Sequence, residues 1–529
     1  MYPGGEATRR SRRSFLQQAG WGALALSAGP PFARAAGIAG SGGISADSVR
    51  GFLDAIAASN HEMHSLMVTR HGRVAAQAWW APYRPGAPHR LYSLSKSFTS
   101  TAVGFAVAEG KLRVSDRVVD FFPGQLPPQV SDNLAAMRVE NLLTMSSGHA
   151  KDPTPQVTRE QDWIHTFLSL PVELPPGSRY VYNSAATYML SAIVQTVVGE
   201  KLVDFLRPRF FDPLGLPPMH WATCPRGINT GGWGLSATTW TLSRFGQFYL
   251  QKGRWNGRQL LPRSWVEQAT RSHIQQPAGP GQTLAQLEKS SDWHQGYGYQ
   301  FLRCRHRAYR ADGAFGQWCI VLPELDAVIA ITSLTPNTQG LLDLVWDHLL
   351  PGLQNAAHED AASDDRLGAD LAALTLPVPR GTGTTPGRAL PTEYVVEPNS
   401  LGVQSVSLRF NAQSCRLVFT TAQKDYPITC GIGQWLDGET DFPGTPPEIT
   451  ELVGVDPNPR RPDKLAAAGA WKDADTFQMQ WRYYETPNFD TVTCRFVAAG
   501  IEISFLNSIT QLAPVHPESR PMLKGRVRS

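Results

Sequence analysis

Beyond residue 395 the chain alternates apolar and polar residues with a period of two, in one short run after another. Ser405-Val406-Ser407-Leu408-Arg409-Phe410, Arg416-Leu417-Val418-Phe419, Phe477-Gln478-Met479-Gln480-Trp481, Val492-Thr493-Cys494-Arg495-Phe496 and Ile501-Glu502-Ile503-Ser504-Phe505 all show it. Successive side chains of a strand point to opposite faces, so each run buries one face and wets the other. Repetition of this kind predicts an all-β domain over residues 396–529, an antiparallel sandwich or a small barrel.

The first two thirds of the chain have a different rhythm. A helical pattern starts at Ser48 and runs through Phe52, Ile56 and Ala57. Residues 65–74 read as two strands joined by a turn at His71-Gly72. Helical stretches follow at 93–110, 183–198 and 240–252; strands return at 296–303, 317–322 and 327–333, and a helix closes the region near 341–350. Strands at both ends with helices between them predict an α+β unit over residues 36–353, in which one antiparallel sheet is completed by both ends of the domain. Residues 354–395 are rich in Ala, Asp, Gly, Thr and Pro and read as a linker, with one short helical pattern at 367–374. With 529 residues, 42% hydrophobic and 18% charged, the chain has material for two or three cored domains. After the first forty residues no run of apolar residues is long enough to span a bilayer, which excludes a polytopic membrane protein.

Residues 1–35 read as an address. Ser11-Arg12-Arg13-Ser14-Phe15-Leu16 has the form of a twin-arginine signal, an uncharged stretch follows to Phe32, and Ala33-Arg34-Ala35 offers a cleavage site. A periplasmic or secreted protein is expected, with the twin-arginine translocase as its partner during export and no stable membrane insertion. The net charge of +4 is accounted for by this segment, so the body of the chain is near neutral and shows no nucleic-acid footprint. Six widely spaced cysteines, Cys224, Cys304, Cys319, Cys415, Cys430 and Cys494, fit either disulfides or buried thiols.

The chemistry-bearing segment is Ser93-Leu94-Ser95-Lys96. On a helix, residues i and i+3 share a face, so Lys96 would lie beside Ser93. A serine hydroxyl is a weak nucleophile until a neighbouring base takes its proton, and a buried lysine with a lowered pKa can do so. A helix N-terminus also offers backbone N–H groups to an oxyanion. Alone, Ser-x-x-Lys is a weak signal.

Its company makes it specific. Ser93-Leu94-Ser95-Lys96-Ser97-Phe98, Leu142-Leu143-Thr144-Met145-Ser146-Ser147-Gly148, Pro175-Pro176-Gly177-Ser178-Arg179-Tyr180-Val181-Tyr182-Asn183-Ser184, Gly231-Gly232-Trp233-Gly234-Leu235 and Gly313-Ala314-Phe315-Gly316-Gln317 occur in this order. Together they resemble the serine β-lactamase/penicillin-binding-protein superfamily, in particular its class C-like branch with esterases, D-amino-acid peptidases and 6-aminohexanoate-dimer hydrolases. The resemblance spans roughly residues 63–350. It implies a β-lactamase-like antiparallel sheet with a helical domain, and no cofactor or metal. It also implies Ser93 as nucleophile, Lys96 as its partner and Tyr182 as a second acid/base, acting as a tyrosinate held by the lysine. Tyr180 fits packing better. Ala314 would supply the second oxyanion N–H after Gly313, and Ser184 and Trp233 would line the substrate site, with Trp163 and Trp318 as further pocket candidates.

Two departures from the family pattern bear on substrate. The second motif has Ser184 where Asn is usual, and Ala311-Asp312-Gly313 stands where Lys-Thr-Gly or His-Thr-Gly is usual. Loss of that cation and hydroxyl argues against efficient penicillin hydrolysis. Arg303, Arg305, Arg307 and Arg310 could replace the cation, but a solvated hairpin edge is the expected role. His61-Glu62-Met63-His64 lacks zinc-motif spacing. The expected activity is hydrolysis of a small ester, amide or peptide through an acyl-enzyme. The alternatives are a binding or sensor protein of the same fold, or a glycan-active enzyme suggested only by the abundant tryptophans.

Overall fold

In the computed structural model the described residues are 43–528, apart from 356–360, 383–385, 388, 450–461, 499 and 513–515. The twin-arginine segment therefore lies outside the described residues. Among those described, no helix is long and apolar enough to cross a membrane.

The first unit is built on strands β1 (Glu62–Arg70), β2 (Arg73–Trp79), β3 (Leu302–Arg303), β4 (Tyr309–Gly313), β5 (Gln317–Leu322) and β6 (Ala327–Leu334). Their order is β2-β1-β6-β5-β4-β3, and every neighbouring pair is antiparallel. The first strand thus pairs with the last, so the two ends of the unit close one sheet, as expected. The strand anticipated over 296–303 is confined to the two residues of β3.

Both faces of this sheet are apolar because both are covered. Met67, Cys319, Val321, Val328 and Ala330 face helices α2 (Ser95–Ala108), α3 (Ser184–Val198) and α4 (Thr239–Leu250). Leu66, Val68, Ile320, Ile329 and Ile331 face α1 (Ala46–Ala57) and the helical segment after β6. Burying each such side chain contributes about 1.5–3 kcal/mol. The region read as a linker joins this second core. Helix α5 (Ala361–Ala372) forms within it, and Leu367 and Leu371, one turn apart on one face, are fully buried there.

The C-terminal unit is a barrel, which decides between the two expected forms. Its strands are β7 (Glu393–Val396), β8 (Val403–Phe410), β9 (Ser414–Thr421), β10 (Asp425–Ile432), β11 (Leu436–Thr440), β12 (Asp463–Trp471), β13 (Thr476–Arg482), β14 (Phe489–Val497), β15 (Gly500–Asn507) and β16 (Leu523–Val527). Nine of them form a ring in the order β10-β9-β8-β7-β16-β15-β14-β13-β12, and a short parallel pairing of Gly431-Ile432 with Ala468-Gly469 closes it. Strand β11 lies along the remainder of β12. Closure removes the exposed edges that an open sheet of alternating strands would present. The inward residues of the alternating runs, among them Leu417, Phe419, Met479, Trp481, Val492 and Ile503, form one core. All six cysteines are free and buried, including Cys415 and Cys430, which face each other across β9 and β10.

The two units meet along a polar seam. Glu62 at the start of β1 makes a bidentate ion pair with Arg482 at the end of β13. His64 lies 2.9 Å from the Glu62 carboxylate and 3.2 Å from His89. The His-Glu-Met-His segment is therefore part of a domain contact. Arg84 pairs with Asp437, and the Tyr83 hydroxyl donates to the Thr486 carbonyl.

Candidate active site

A single turn, Tyr92–Leu94, runs straight into α2, which places Ser93 at the helix N-terminus and Lys96 one turn inside it. Ser93 is the one residue of 91–100 that is not buried. Ser95 faces the other way: its hydroxyl donates to the Tyr92 carbonyl at 2.6 Å and accepts from the Leu235 N–H.

Lys96 is 2% exposed, and its Nζ has three polar neighbours: Ser93 Oγ at 2.9 Å, Ser184 Oγ at 3.0 Å and the Gly232 carbonyl at 2.9 Å. Burial lowers its pKa to about 7, against the opposing pull of Asp152 and Asp312. In all three contacts Nζ is placed to donate, and with a pKa of about 7 the amine occurs in both protonation states near neutrality; once deprotonated, its lone pair is within reach of the Ser93 hydroxyl proton.

Ser184 is thus a direct hydrogen-bond partner of the lysine. Gly232 had no assigned role in the sequence. A Cβ there would stand 2.8 Å from the Ser184 carbonyl oxygen, so only glycine lets this backbone close on α3 and present its own carbonyl to Lys96.

Tyr182 sits over the lysine, with Nζ 4.8 Å from its ring centroid, and its hydroxyl shares a hydrogen bond with Ser93. Burial pushes its pKa up, outweighing that hydrogen bond. Burial thus favours the protonated phenol over the tyrosinate that the family resemblance implied, although Lys96 lies over the ring face. Tyr180 is packed edge-on against Tyr297 at 5.3 Å, as its position in the sequence suggested.

The Leu-Leu-x-x-x-Ser-Gly stretch carries the Tyr182 segment. The N–H groups of Leu174, Gly177 and Val181 donate to the carbonyls of Gly148, Ser146 and Met145. Asn183 caps α3 through Ala186 N and also donates to Ser147 Oγ. A further residue without a sequence signal, Gln300, ties these parts together. Its side chain donates to the carbonyls of Leu142 and Leu143 and accepts from Thr187, and its carbonyl accepts from Ser97.

Strand β4 delivers Gly313 and Ala314 to the nucleophile's turn. A Cβ on Gly313 would lie 2.1 Å from the Leu91 carbonyl oxygen and 3.2 Å from Leu94 N. The chain at Ala314 therefore passes close to the Ser93 turn, where the second N–H was expected.

Other expectations are corrected. Trp233 is 3% exposed, stacks on Trp163 and belongs to the helical core, and Trp163 and Trp318 are buried likewise. Abundance of tryptophan says nothing about which face of an element it occupies. The tryptophan at the cleft is Trp293, which with Arg179, Tyr180, Tyr182, Gln276 and His294 lines a cavity of about 400 Å³. Arg310 is not at a solvated edge. It is fully buried, donates to Asp312 at 2.6 Å and to the Asp292 carbonyl at 2.9 Å, and lies beside the Trp293 ring. Arg305 pairs with Asp292 and Asp343, Arg307 pairs with Glu324, and Arg303 donates to the Thr270 carbonyl. Among the described residues no group of His, Cys, Asp or Glu has the arrangement of a metal site.

The Ser93 turn, a buried lysine and an antiparallel sheet in which the unit's first strand pairs with its last make a candidate serine-hydrolase site on a β-lactamase-like fold. The chain belongs to the beta-lactamase family, whose profile matches residues 55–349, more than half of its length. It is 26% identical over 219 residues to a 6-aminohexanoate-dimer hydrolase from Paenarthrobacter ureafaciens, an alignment covering 38% of this chain and 56% of the relative. It is 35% identical over 130 residues to penicillin-binding protein 4 of Amycolatopsis lactamdurans, covering 23% and 33%. The chain thus spans from about a third to just over half the length of these curated relatives. Among solved structures, the octameric penicillin-binding protein homologue from Pyrococcus abyssi aligns over 90% of this chain and 99% of its own, at 13% identity and a TM-score of 0.45. The first of these relatives is a hydrolase by its name, and the other two are named for binding penicillin.

Proposed function

We propose that the protein is a serine hydrolase that cleaves a small ester or linear amide through an acyl-enzyme on Ser93. The observation that carries this is the contact at 2.9 Å between the Ser93 hydroxyl and the amine of Lys96, which is buried and has its pKa lowered to about 7. In the first half-reaction Ser93 Oγ attacks the carbonyl carbon, and its proton passes to Lys96 Nζ. The Ser93 and Ala314 N–H groups hold the oxyanion. Collapse breaks the bond to the leaving oxygen or nitrogen, which receives a proton through the Tyr182 hydroxyl, and Tyr182 is reprotonated from Lys96. Water then repeats the sequence on the ester, releasing the acid and freeing Ser93.

The substrate preference follows from the third motif. In the 303–310 hairpin Arg305, Arg307 and Arg310 are each paired with a carboxylate and Arg303 donates to the Thr270 carbonyl, while Asp312 is itself a carboxylate near Lys96. Losing a charge-assisted contact costs about 1.5–3 kcal/mol, which is roughly ten- to hundred-fold. A neutral ester does not use that contact. The kcat/KM for p-nitrophenyl butyrate should exceed that for nitrocefin. A preference for nitrocefin would overturn the substrate reading.

A further inference from the structure

The residue before the nucleophile is held by the barrel. Tyr92 has φ +49°, a backbone conformation that a bulky residue adopts only where its surroundings impose it. The side chain is buried, and its ring packs edge-on against Phe315 at 5.4 Å. Tyr92 is thus bonded to Ser93 and in contact with the neighbour of Ala314. It touches both halves of the oxyanion site at once.

Its hydroxyl is fixed from the other domain. Asn488, fully buried in the turn between β13 and β14, donates through Nδ2 to Tyr92 Oη at 2.8 Å and to the Pro447 carbonyl at 2.8 Å. The Asn488 turn is itself braced. Asn488 N donates to Thr486 Oγ1, Tyr483 N donates to the Asn488 carbonyl, and Ser508 Oγ reaches Asn488 Oδ1 at 3.5 Å. The adjoining Glu485 carbonyl accepts from Arg90 N, and the Arg90 guanidinium, paired with Glu448, also reaches the Tyr92 hydroxyl.

We infer that Asn488 of the barrel is a positioning residue for catalysis, which through Tyr92 sets the Ser93 and Ala314 N–H groups at the spacing the oxyanion needs. This rests on the acyl-enzyme reading above. Misplacing reacting groups by about 1 Å can cost on the order of a hundred-fold in rate. Asn488 acts one residue removed, so about a tenfold loss is expected.

The test uses the full chain and a fluorophosphonate probe, reading the maximal rate of covalent labelling separately from the probe's half-saturation concentration. Tyr92→Phe and Asn488→Ala should each slow maximal labelling about tenfold while half-saturation stays within about twofold. The double variant should be no slower than the slower single one, because each single removes the Tyr92–Asn488 link, Tyr92→Phe removing the contact to Arg90 as well. Tyr83→Phe removes different hydrogen bonds across the same seam, those to the Thr486 carbonyl and to Arg482, and should leave labelling within about twofold of wild type. If Tyr83→Phe slows labelling as much as Asn488→Ala does, the seam acts only as general support and the inference fails. Additive losses in the double variant, or unchanged labelling in both singles, overturn it too. Absence of labelling at Ser93 in the wild type would instead sink the acyl-enzyme reading, so the two failures are distinguishable.

Discussion

Around Ser93 the molecule buries polar groups: Lys96, Asn183, Ser184, Thr187 and Gln300 are each less than 5% exposed. Inside the barrel it buries hydrocarbon, with Phe419 stacked on Phe442 at 4.5 Å and Trp481, Met479 and Ile503 around them. One buried polar knot there joins Arg520, which makes two hydrogen bonds to Asp490, and the Tyr483 hydroxyl, which donates to the same carboxylate; others, Asn488 and Arg482, lie toward the first unit. An unsatisfied buried polar group costs about 1–3 kcal/mol, so a cleft built from such groups holds only if every member finds a partner. The Lys96 shell is such a network, and its partners come from α3, from the 231–234 turn and from α2 itself. Most of the barrel interior makes no such demand. Its apolar core gives stability, and its buried polar groups lie at the Asp490–Arg520 knot and toward the seam with the first unit.

That contrast is breakable by substitution. The largest effects should come from the cleft without loss of fold. Ser93→Ala should abolish ester turnover, and Lys96→Ala and Tyr182→Phe should each lower kcat/KM at least about 100-fold, the scale of lost acid–base assistance. Ser95→Ala should be far milder, since its hydroxyl is committed to backbone at Tyr92 and Leu235. Inactivation by Ser95→Ala with activity surviving Ser93→Ala would reverse the assignment.

The barrel should respond in the opposite sense. Phe419→Ala leaves a cavity in an aromatic cluster and should cost about 3–5 kcal/mol of stability in chemical denaturation. Turnover per folded molecule should stay within about threefold. A core substitution this far inside the barrel that removed activity while leaving stability intact would show that the two regions are not divided as argued.

A smaller effect is expected from pH. The Lys96 amine carries a proton below about pH 7 and loses it above. Ester kcat/KM should therefore rise through that region, about tenfold per unit on the acid side, and level off above it. Since burial holds this lysine's pKa below its value in the unfolded chain, the unfolded state binds more protons between about pH 7 and pH 10. Its contribution to stability accordingly grows as pH rises through that window. A rate that is flat from pH 5.5 to 8 would remove Lys96 as the base.

Much of this division was legible in the sequence, where local spacing decides the outcome. Ser93 and Lys96 share a helix face by an i,i+3 rule that needs no tertiary information, and period-two alternation marks the barrel strands. Position within a fold was not legible. The Gly232 carbonyl meets Lys96 from 136 residues away through backbone, so no side-chain motif announces it. Trp233 and Arg310 were misplaced for a related reason: a tryptophan's face and an arginine's partner depend on which elements pack against them. Leu367 and Leu371 showed a helical spacing inside a linker-like composition, but only docking against the sheet reveals them as core. The seam is the extreme case, since Glu62 and Arg482 lie at opposite ends of the chain.

The acyl-enzyme claim is tested most directly by intact-mass analysis and peptide mapping after brief exposure to a fluorophosphonate. The account predicts a single adduct on Ser93, absent in Ser93→Ala and formed more slowly in Lys96→Ala. An adduct on another residue, or a wild-type protein that hydrolyses esters yet is never labelled at Ser93, would contradict it.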